Sequence, residues 1–235
     1  MLTASEIKRI KSLKDKKFRD EFGQFAVEGE KLVSEALDSG FKVEAVYRTE
    51  EIGEAVMSRI SQLSSPSPVL AVVEKPEPKC PEELSKSLYL GLDSVRDPGN
   101  MGTILRLADW FGIDTVFVSE DCVEVFNPKV VQASMGSVFR VSVVVCDLQS
   151  LCRRFRAAGM PVIGTFLDGE PIYSLSLPAE GLIVMGNESN GVSAEVGSLA
   201  DLRLLIPSFA QGRRTAESLN VATATAIVLS EFRRR

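Results

Sequence analysis

The sequence predicts a two-domain α/β protein whose second, larger domain contains a mostly parallel sheet covered by helices on both faces. From Leu88 onward, short apolar runs alternate with stretches of helical periodicity, as in parallel strands joined by helices. Five prolines lie between Pro66 and Pro81, and this density disfavours helix and sheet, so residues 75–81 are predicted to form a linker. The predicted domains are therefore residues 1–74 and 82–235.

The elements of the first domain follow from local patterns. A basic helical stretch opens the chain, and the apolar segment 25–29 follows it. Leu32, Val33, Ala36 and Leu37 have helical spacing, which predicts a helix over 31–39. Strands are predicted at 43–48 and 69–73. This is a small α/β layer.

The second domain is predicted to contain six strands and five helices. The strands are assigned to residues 88–92, 115–118, 141–146, 161–166, 182–185 and 202–206. The helices are assigned near residues 103–111, 128–135, 148–158, 193–200 and 218–233. Ser218 is the predicted N-cap of the last helix, because serine is a favoured capping residue.

The composition excludes several classes of protein. The chain has no histidine, which excludes Ser-His-Asp and Cys-His catalysis and histidine-based zinc sites. Its four cysteines contain no Cys-x-x-Cys pair, so free thiols and no bound metal are expected. It has neither Gly-x-Gly nor Gly-Lys-Ser/Thr, which excludes the dinucleotide fingerprint and the P-loop. No apolar run approaches about 18 residues and the N-terminus is polar, so a cytoplasmic protein without membrane contact is expected.

Positive charge is clustered although the net charge is −5. The clusters consist of Lys8, Arg9, Lys11, Lys14, Lys16, Lys17 and Arg19 near the N-terminus, Arg213 and Arg214, and the three C-terminal arginines. Each cluster alone is more typical of a solvated helix face. Three clusters in an acidic protein favour a local surface that attracts nucleic acid.

Three segments combine glycines with polar side chains at predicted strand ends or helix starts, where ligands bind in such sheets. The first is 97–106, with Asn100 and Arg106 predicted to project into one cleft. The second is 183–191, with Glu188 between two glycines. The third is 204–221, where Asn220 opens the last helix. Each segment by itself is also compatible with an ordinary turn or cap.

Together, in this order and spacing, the three segments resemble the three motifs of the SpoU/TrmH family in the SPOUT superfamily. The matching residues are Asp97, Pro98, Asn100, Gly102, Arg106, Gly186, Asn187, Glu188, Gly191, Ile206, Pro207, Ser218, Leu219, Asn220 and Val221. The resemblance covers the second domain. Residues 1–60 resemble the small ribosomal-protein-like RNA-binding domain that often precedes it.

The resemblance implies a trefoil-knotted methyltransferase domain that binds S-adenosylmethionine and forms a homodimer through helices of that domain. The implied cofactor-binding residues are Thr165, Phe166, Leu167, Met185, Gly186, Asn187, Gly191, Ile206 and Leu219. The implied catalytic residues are Asn100, Arg106, Glu188, Ser218 and Asn220. The segment from Pro207 to Ser218 is longer here than in compact family members. The resemblance therefore does not extend to the contacts made by residues 208–216.

The resemblance implies transfer of a methyl group to a ribose 2′-hydroxyl of RNA, with ribosomal RNA favoured over transfer RNA. Arg106 either activates the hydroxyl or, as we prefer because a guanidinium is a poor base, holds a substrate phosphate. Glu188 either orients its loop or contacts the ribose. The alternative functions are a catalytically silent RNA-binding protein on the same scaffold and a base-specific RNA methyltransferase.

Overall fold

A computed structural model describes residues 2–77, 80–210 and 216–234. The chain divides into two compact units. The first unit contains the residues up to Glu77 together with Glu124–Arg140, and the second contains the remainder. Within the described ranges, no helix is long and apolar enough to cross a membrane.

The first unit is built on a three-stranded antiparallel sheet with the order β1-β3-β2. Its elements are α1 (Ala4–Ser12), α2 (Lys16–Phe22), β1 (Gln24–Glu28), α3 (Glu30–Asp38), β2 (Val43–Arg48), α4 (Thr49–Ile52), α5 (Glu54–Ile60), β3 (Val69–Glu74) and α7 (Pro128–Ser134). The central strand β3 is buried along almost its whole length, and α1 and α5 pack on one face of the sheet. The predicted strands and the helix near 31–39 are present, whereas α4 and α5 lack a clear sequence pattern and were not predicted.

The segment Glu124–Arg140 packs in the first unit, although the sequence pattern placed it in the second domain. Phe126 lies against Phe25, with ring centroids 4.5 Å apart, and the Gln132 side chain donates a hydrogen bond to the Glu28 carbonyl at 2.9 Å. Glu124 forms an ion pair with the buried Arg19. These contacts join residues about a hundred positions apart, so the local periodicity of the segment does not reveal them.

The second unit contains a six-stranded parallel sheet with the order β6-β5-β4-β8-β7-β9. Its elements are β4 (Leu88–Leu92), α6 (Pro98–Trp110), β5 (Thr115–Val118), β6 (Ser142–Val145), α8 (Leu148–Ala157), β7 (Val162–Pro171), β8 (Gly181–Met185), α9 (Ala194–Gly197), β9 (Leu202–Leu205) and α10 (Val221–Arg234). All strand pairs are parallel, and the two central strands β4 and β8 are completely buried. The predicted α/β class with a parallel sheet is confirmed.

Two helices of the second unit begin elsewhere than predicted. The helix α6 begins five residues earlier, because Asp97 caps it and Pro98 occupies its first turn, where a proline needs no hydrogen-bond partner. The helix α10 begins at Val221, three residues later than predicted. The start of the segment 97–106, which the sequence left compatible with an ordinary turn or cap, is therefore the cap and first turn of α6.

Candidate active site

The candidate site lies at the carboxyl ends of β4 and β8, which are neighbours in the centre of the sheet. Leu92 pairs with Met185 at the end of this ladder, and the loops 93–97 and 186–192 leave the sheet side by side. The buried Asp93 carboxylate of the first loop accepts the backbone N–H of Ser193, the residue that follows the second loop, at 2.8 Å. Adjacent parallel strands thus bring together the first and second predicted motifs, although about 90 residues separate them.

The first motif is positioned by the cap of α6. The Asp97 side chain accepts the backbone N–H of Asn100 at 2.8 Å, which fixes the first helical turn. Asn100 lies in that turn and is half-buried. The cap of the helix therefore positions the side-chain amide of Asn100 within hydrogen-bond distance of the second motif.

The second motif forms a closed loop after β8. Asn187 and Gly191 exchange two backbone hydrogen bonds of 2.9 Å, and the Asn187 side-chain oxygen accepts the N–H groups of Ser189 and Asn190. A Cβ atom on Gly186 would lie 2.1 Å from backbone atoms of Gly191 and Val192. Only glycine permits this close approach of the two sides of the loop.

Asn100 connects all three motifs through its side-chain amide. Its Nδ2 donates to Glu188 Oε1 at 2.9 Å, and its Oδ1 accepts from Asn220 Nδ2 at 2.8 Å. Asn187 Nδ2 donates to the other Glu188 oxygen at 3.3 Å. The Glu188 carboxylate thus accepts two amide donors, an arrangement that holds its loop in place.

The third motif enters this network through the cap of α10. Asn220 Oδ1 accepts the backbone N–H groups of Ala222 and Thr223 at 3.0 and 3.2 Å, so Asn220 caps the helix. The prediction that Ser218 is the N-cap is wrong, because the helix begins two residues too late for it. Ser218 is exposed, and the structure does not bring it into the Asn100 network.

Arg106 takes no part in the described hydrogen bonds of this network. It is six residues after Asn100 on α6, about 9 Å further along the helix axis. Its exposed side chain lines a groove of about 780 Å³ between α6 and α10 and forms no ion pair with the described residues. No described hydrogen bond joins Arg106 to Asn100, and one cleft shared by the two side chains stays a prediction.

The residues implied for cofactor binding lie within or near three neighbouring strands and before the last helix. Thr165, Phe166 and Leu167 lie within β7, Met185 ends β8 and the loop 186–191 follows it, Ile206 follows β9, and Leu219 precedes α10. Thr165 donates a hydrogen bond to the Val184 carbonyl at 3.3 Å, which ties β7 to β8. The Phe166 ring lies 3.5 Å below the Arg203 guanidinium, which is held in turn by Asp168 at 2.6 Å. Met185 and Gly186 are buried and Ile206 is half-buried. Leu167 and Leu219 expose 73% and 48% of their surface, so they leave apolar area exposed in these segments.

A second polar cluster supports the first motif, and the sequence pattern gave no sign of it. Ser94 has a φ of +59°, and its side chain donates to Asp121 Oδ2 at 2.5 Å. Ser119 donates to Asp121 Oδ1 at 2.7 Å. The hydrogen bonds from Ser94 and Ser119 lower the pKa of Asp121 to about 2. No motif marks these residues, because the cluster forms only when the ends of β4 and β5 meet.

Most of the predicted RNA-contacting cations of the first unit are accessible. Lys8, Lys11, Lys14, Lys16 and Lys17 are exposed, and Arg9 is half-buried and donates to Gln24 at 2.9 Å. Arg19 is an exception: it is buried, donates to the carbonyls of Leu13 and Lys14, and pairs with Glu124. The expectation that Arg19 contacts RNA is wrong, because its charge is satisfied inside the unit. Arg213 and Arg214 lie outside the described residues.

The four cysteines are free, as the sequence predicts. Burial raises the pKa of Cys146 to about 12 and that of Cys152 to about 11, and it also raises the pKa of Cys122. These three thiols stay protonated at neutral pH, and a protonated thiol is a weak nucleophile.

Comparisons with known proteins find matches along most of the chain. Residues 87–230 match the SpoU rRNA Methylase family, and residues 4–75 match the MRM3-like substrate binding domain. The chain is 33% identical to the 23S rRNA (guanosine(2553)-2'-O)-methyltransferase RlmP of Bacillus subtilis, over 97% of this chain and 96% of that protein. It is 29% identical to a 23S rRNA (uridine(2479)-2'-O)-methyltransferase of Streptomyces viridochromogenes, over 91% of this chain and 83% of that protein.

Solved structures extend the similarity to the whole chain. A TrmH-family structure from Porphyromonas gingivalis superposes with a TM-score of 0.89 at 41% identity, covering 100% of this chain and 99% of that one. An AdoMet-bound rRNA methyltransferase from Sinorhizobium meliloti gives a TM-score of 0.86 at 34% identity, covering 100% and 96%. The three motifs, the parallel sheet that brings them together and these similarities identify the chain as a member of the SpoU family of rRNA methylases.

Proposed function

We propose that this protein transfers the methyl group of S-adenosylmethionine to a ribose 2′-hydroxyl of RNA, with ribosomal RNA as the substrate rather than transfer RNA. The observation that carries the proposal is the Asn100 amide, which binds Glu188 and Asn220 and so joins the three motifs. The family membership and the names of the relatives, which modify 23S rRNA at ribose positions, support the same reaction.

S-adenosylmethionine fits the segments that carry the residues implied for cofactor binding, which lie within β7, after β8 and after β9. The exposed apolar side chains of Leu167 and Leu219 offer surface that an adenine ring can cover, and Gly186 permits the tight loop after β8. When bound, the cofactor supplies an activated methyl group on a sulfonium. We infer that Thr165, Met185, Asn187, Gly191 and Ile206 complete this site, and that the loops lie in the trefoil knot of the family.

The residues of this chain contribute mainly orientation and charge. Asn100, Glu188 and Asn220 hold the three loops in one arrangement, so a ribose bound against them meets a pre-organised site. Glu188 accepts two amide donors, which favours an orienting role over contact with the ribose. Ser218 is exposed beside Asn220 and remains available to the substrate.

Arg106 is proposed to bind a substrate phosphate. A guanidinium binds phosphate through paired hydrogen bonds and remains protonated at neutral pH, so it serves better as a clamp than as a base. The side chain is exposed and unpaired among the described residues, as a phosphate-binding group must be before the substrate arrives. Arg106 would thereby orient the ribose and stabilise negative charge that develops on its oxygen.

The first unit is proposed to bind the RNA backbone. Its five exposed lysines near the N-terminus supply positive charge on a protein that is acidic overall. Contacts with phosphates position an RNA without reading its sequence. The match of residues 4–75 to a substrate binding domain supports this role.

The homodimer is proposed to form through the groove between α6 and α10. The groove is lined by Thr103, Leu107, Trp110, Phe111, Tyr173 and Ile227 among others, and Trp110 exposes 84% of its surface. A large exposed apolar surface of this kind marks an interaction site. Because Arg106 lines the same groove, dimerisation would place the proposed phosphate clamp at the interface between two subunits.

The test is methylation of unmodified bacterial ribosomal and transfer RNA with labelled S-adenosylmethionine, followed by alkaline hydrolysis. A 2′-O-methyl group removes the hydroxyl that attacks the neighbouring phosphate, so we expect label in hydrolysis-resistant dinucleotides from ribosomal RNA. The variant Arg106→Ala should lose about 10²-fold or more in rate and still bind the cofactor, as measured by calorimetry.

Other outcomes would overturn the proposal. Label in ordinary mononucleotides would identify a base methyltransferase. Binding of ribosomal RNA without transfer of label to any RNA, including ribosomal assembly intermediates, would identify a catalytically silent RNA-binding protein. Wild-type rates in Arg106→Ala would exclude a role of this side chain in the reaction.

A further inference from the structure

Ser94 has a backbone conformation that a serine rarely adopts. It is the second residue after β4, and its φ of +59° lies in the left-handed region, which residues with a side chain avoid unless their surroundings hold them there. The residue lies between the buried Asp93 and the start of the first motif. Its conformation therefore determines where the loop 93–97 leaves the sheet.

Three hydrogen bonds hold Ser94 in this conformation. Its N–H donates to Ser119 Oγ at 2.9 Å, and its hydroxyl donates to Asp121 Oδ2 at 2.5 Å. Its carbonyl accepts from Asn187 Nδ2 at 2.7 Å. The first two bonds come from the loop after β5, and the third comes from the second motif.

Asp121 is the centre of the supporting cluster. Its two carboxylate oxygens accept the hydroxyls of Ser94 and Ser119, and Arg96 adds a third donor at 3.0 Å. Ser119 therefore donates to Asp121 with its hydroxyl while its oxygen accepts the N–H of Ser94. Removing the carboxylate would leave the Ser94 hydroxyl without this acceptor and would no longer fix the orientation of the Ser119 hydroxyl.

The cluster reaches the candidate active site through one amide group. Asn187 Nδ2 donates to the Ser94 carbonyl and also lies 3.3 Å from Glu188 Oε2. The other Glu188 oxygen accepts from Asn100, which in turn accepts from Asn220. A rotation of the Ser94 peptide would therefore move the Asn187 amide and the Glu188 carboxylate that Asn100 binds.

We propose that Asp121 is a positioning residue for methyl transfer: together with Ser119 it holds Ser94 in the left-handed conformation, and the Ser94 carbonyl then orients Asn187 and Glu188. This proposal rests on the proposed function of the same site. Asp121 acts through Ser94 and does not itself contact the substrate.

The test compares Asp121→Ala with Glu120→Ala, which removes the same charge from the adjacent residue. Asp121→Ala should lower kcat for RNA methylation by about 10- to 100-fold, because small displacements of reacting groups have effects of this size. The KM for RNA should change little, because no proposed RNA contact is removed. Asp121→Asn keeps one oxygen that can accept a serine hydroxyl and should give an intermediate loss. Glu120→Ala should match the wild type.

Rescue by a second substitution separates positioning from a general loss of structure. Glycine adopts a φ near +60° without steric cost, so Ser94→Gly in the Asp121→Ala background should recover most of the lost kcat. A protein that merely unfolds more easily would not regain kcat per folded molecule in this way. Absence of rescue, or an equal loss in Glu120→Ala, would overturn the proposal.

Hydrogen exchange gives a reading that does not depend on methylation. In Asp121→Ala the backbone amides of 186–191 should exchange faster than in the wild type and in Glu120→Ala, because Asn187 has lost its fixed acceptor. If the wild type methylates no RNA, the proposed function fails, and this exchange still tests the effect of Asp121 on the loop. Unchanged exchange in Asp121→Ala would overturn the positioning role in either case.

Discussion

At the residue scale, the site depends on side chains that each bind two partners. Asn100 uses both atoms of its amide, one as a donor to Glu188 and one as an acceptor from Asn220. Asparagine can do this because its amide carries a donor and an acceptor on one rigid plane. A carboxylate of the same shape can accept from Asn220 and cannot donate to Glu188.

We therefore expect Asn100→Asp to be more harmful than Asn100→Ala. The aspartate places a second negative charge beside Glu188, whereas the alanine only removes two hydrogen bonds, which is a loss of about 1 to 2 kcal/mol in unfolding free energy. The additional loss in Asn100→Asp should shrink at high salt, because salt screens repulsion between partly exposed charges. Urea unfolding of both variants at low and high salt measures this difference, and an additional loss that does not change with salt would contradict the proposed repulsion.

At the element scale, the loop after β8 depends on two glycines for different reasons. Gly186 has no space for a Cβ atom, because the backbone of Gly191 and Val192 lies against it. Gly191 has a φ of +69°, but apart from Gly191 and its two chain neighbours no described residue has an atom within 4 Å of the position that its Cβ atom would take. The first glycine therefore permits close packing, and the second permits a turn.

Alanine substitutions should separate these two requirements. Gly191→Ala should cost about 1 kcal/mol of unfolding free energy, because alanine avoids positive φ but meets open space. Gly186→Ala should cost several times more and abolish cofactor binding, because the two sides of the loop must separate. Chemical unfolding and calorimetric titration with S-adenosylmethionine measure both effects. Equal losses in the two variants would contradict the close-approach argument.

At the scale of the whole molecule, the groove between α6 and α10 predicts association of two copies. Trp110→Glu should convert a dimer into monomers, because it places a charge on the exposed apolar surface of the groove. Leu37→Glu is the matched control, since Leu37 is an exposed apolar residue of the first unit that does not line the groove. Sedimentation measurements should show monomers only for the first variant. A monomeric wild type would disprove the proposed dimer.

The sequence by itself determined the class of the fold and the residues of the three motifs. Apolar strands in parallel sheets are buried on both faces and read as short continuous apolar runs, so β4, β5 and β8 were placed within one residue of their bounds. The motif residues Asn100, Glu188 and Asn220 could be named because the pattern of all three segments resembles one family. The boundary of α10 was harder to place, because Ser218 and Asn220 are both good capping residues and only packing selects one.

Only the tertiary structure decided which polar groups bind each other. Arg19 looks like the neighbouring surface cations, yet it is buried because Glu124, more than a hundred residues later, neutralises it. Asp121 belongs to no sequence motif. Its interaction with Ser94 is identified only in the structure, where β4 and β5 end side by side. The order of the strands also places β8 beside β4, which is why Asn100 meets Glu188. The physical reason is the same in each case. Periodic sequence patterns indicate which side of a segment is buried and which is exposed, whereas these interactions depend on partners that are distant along the chain.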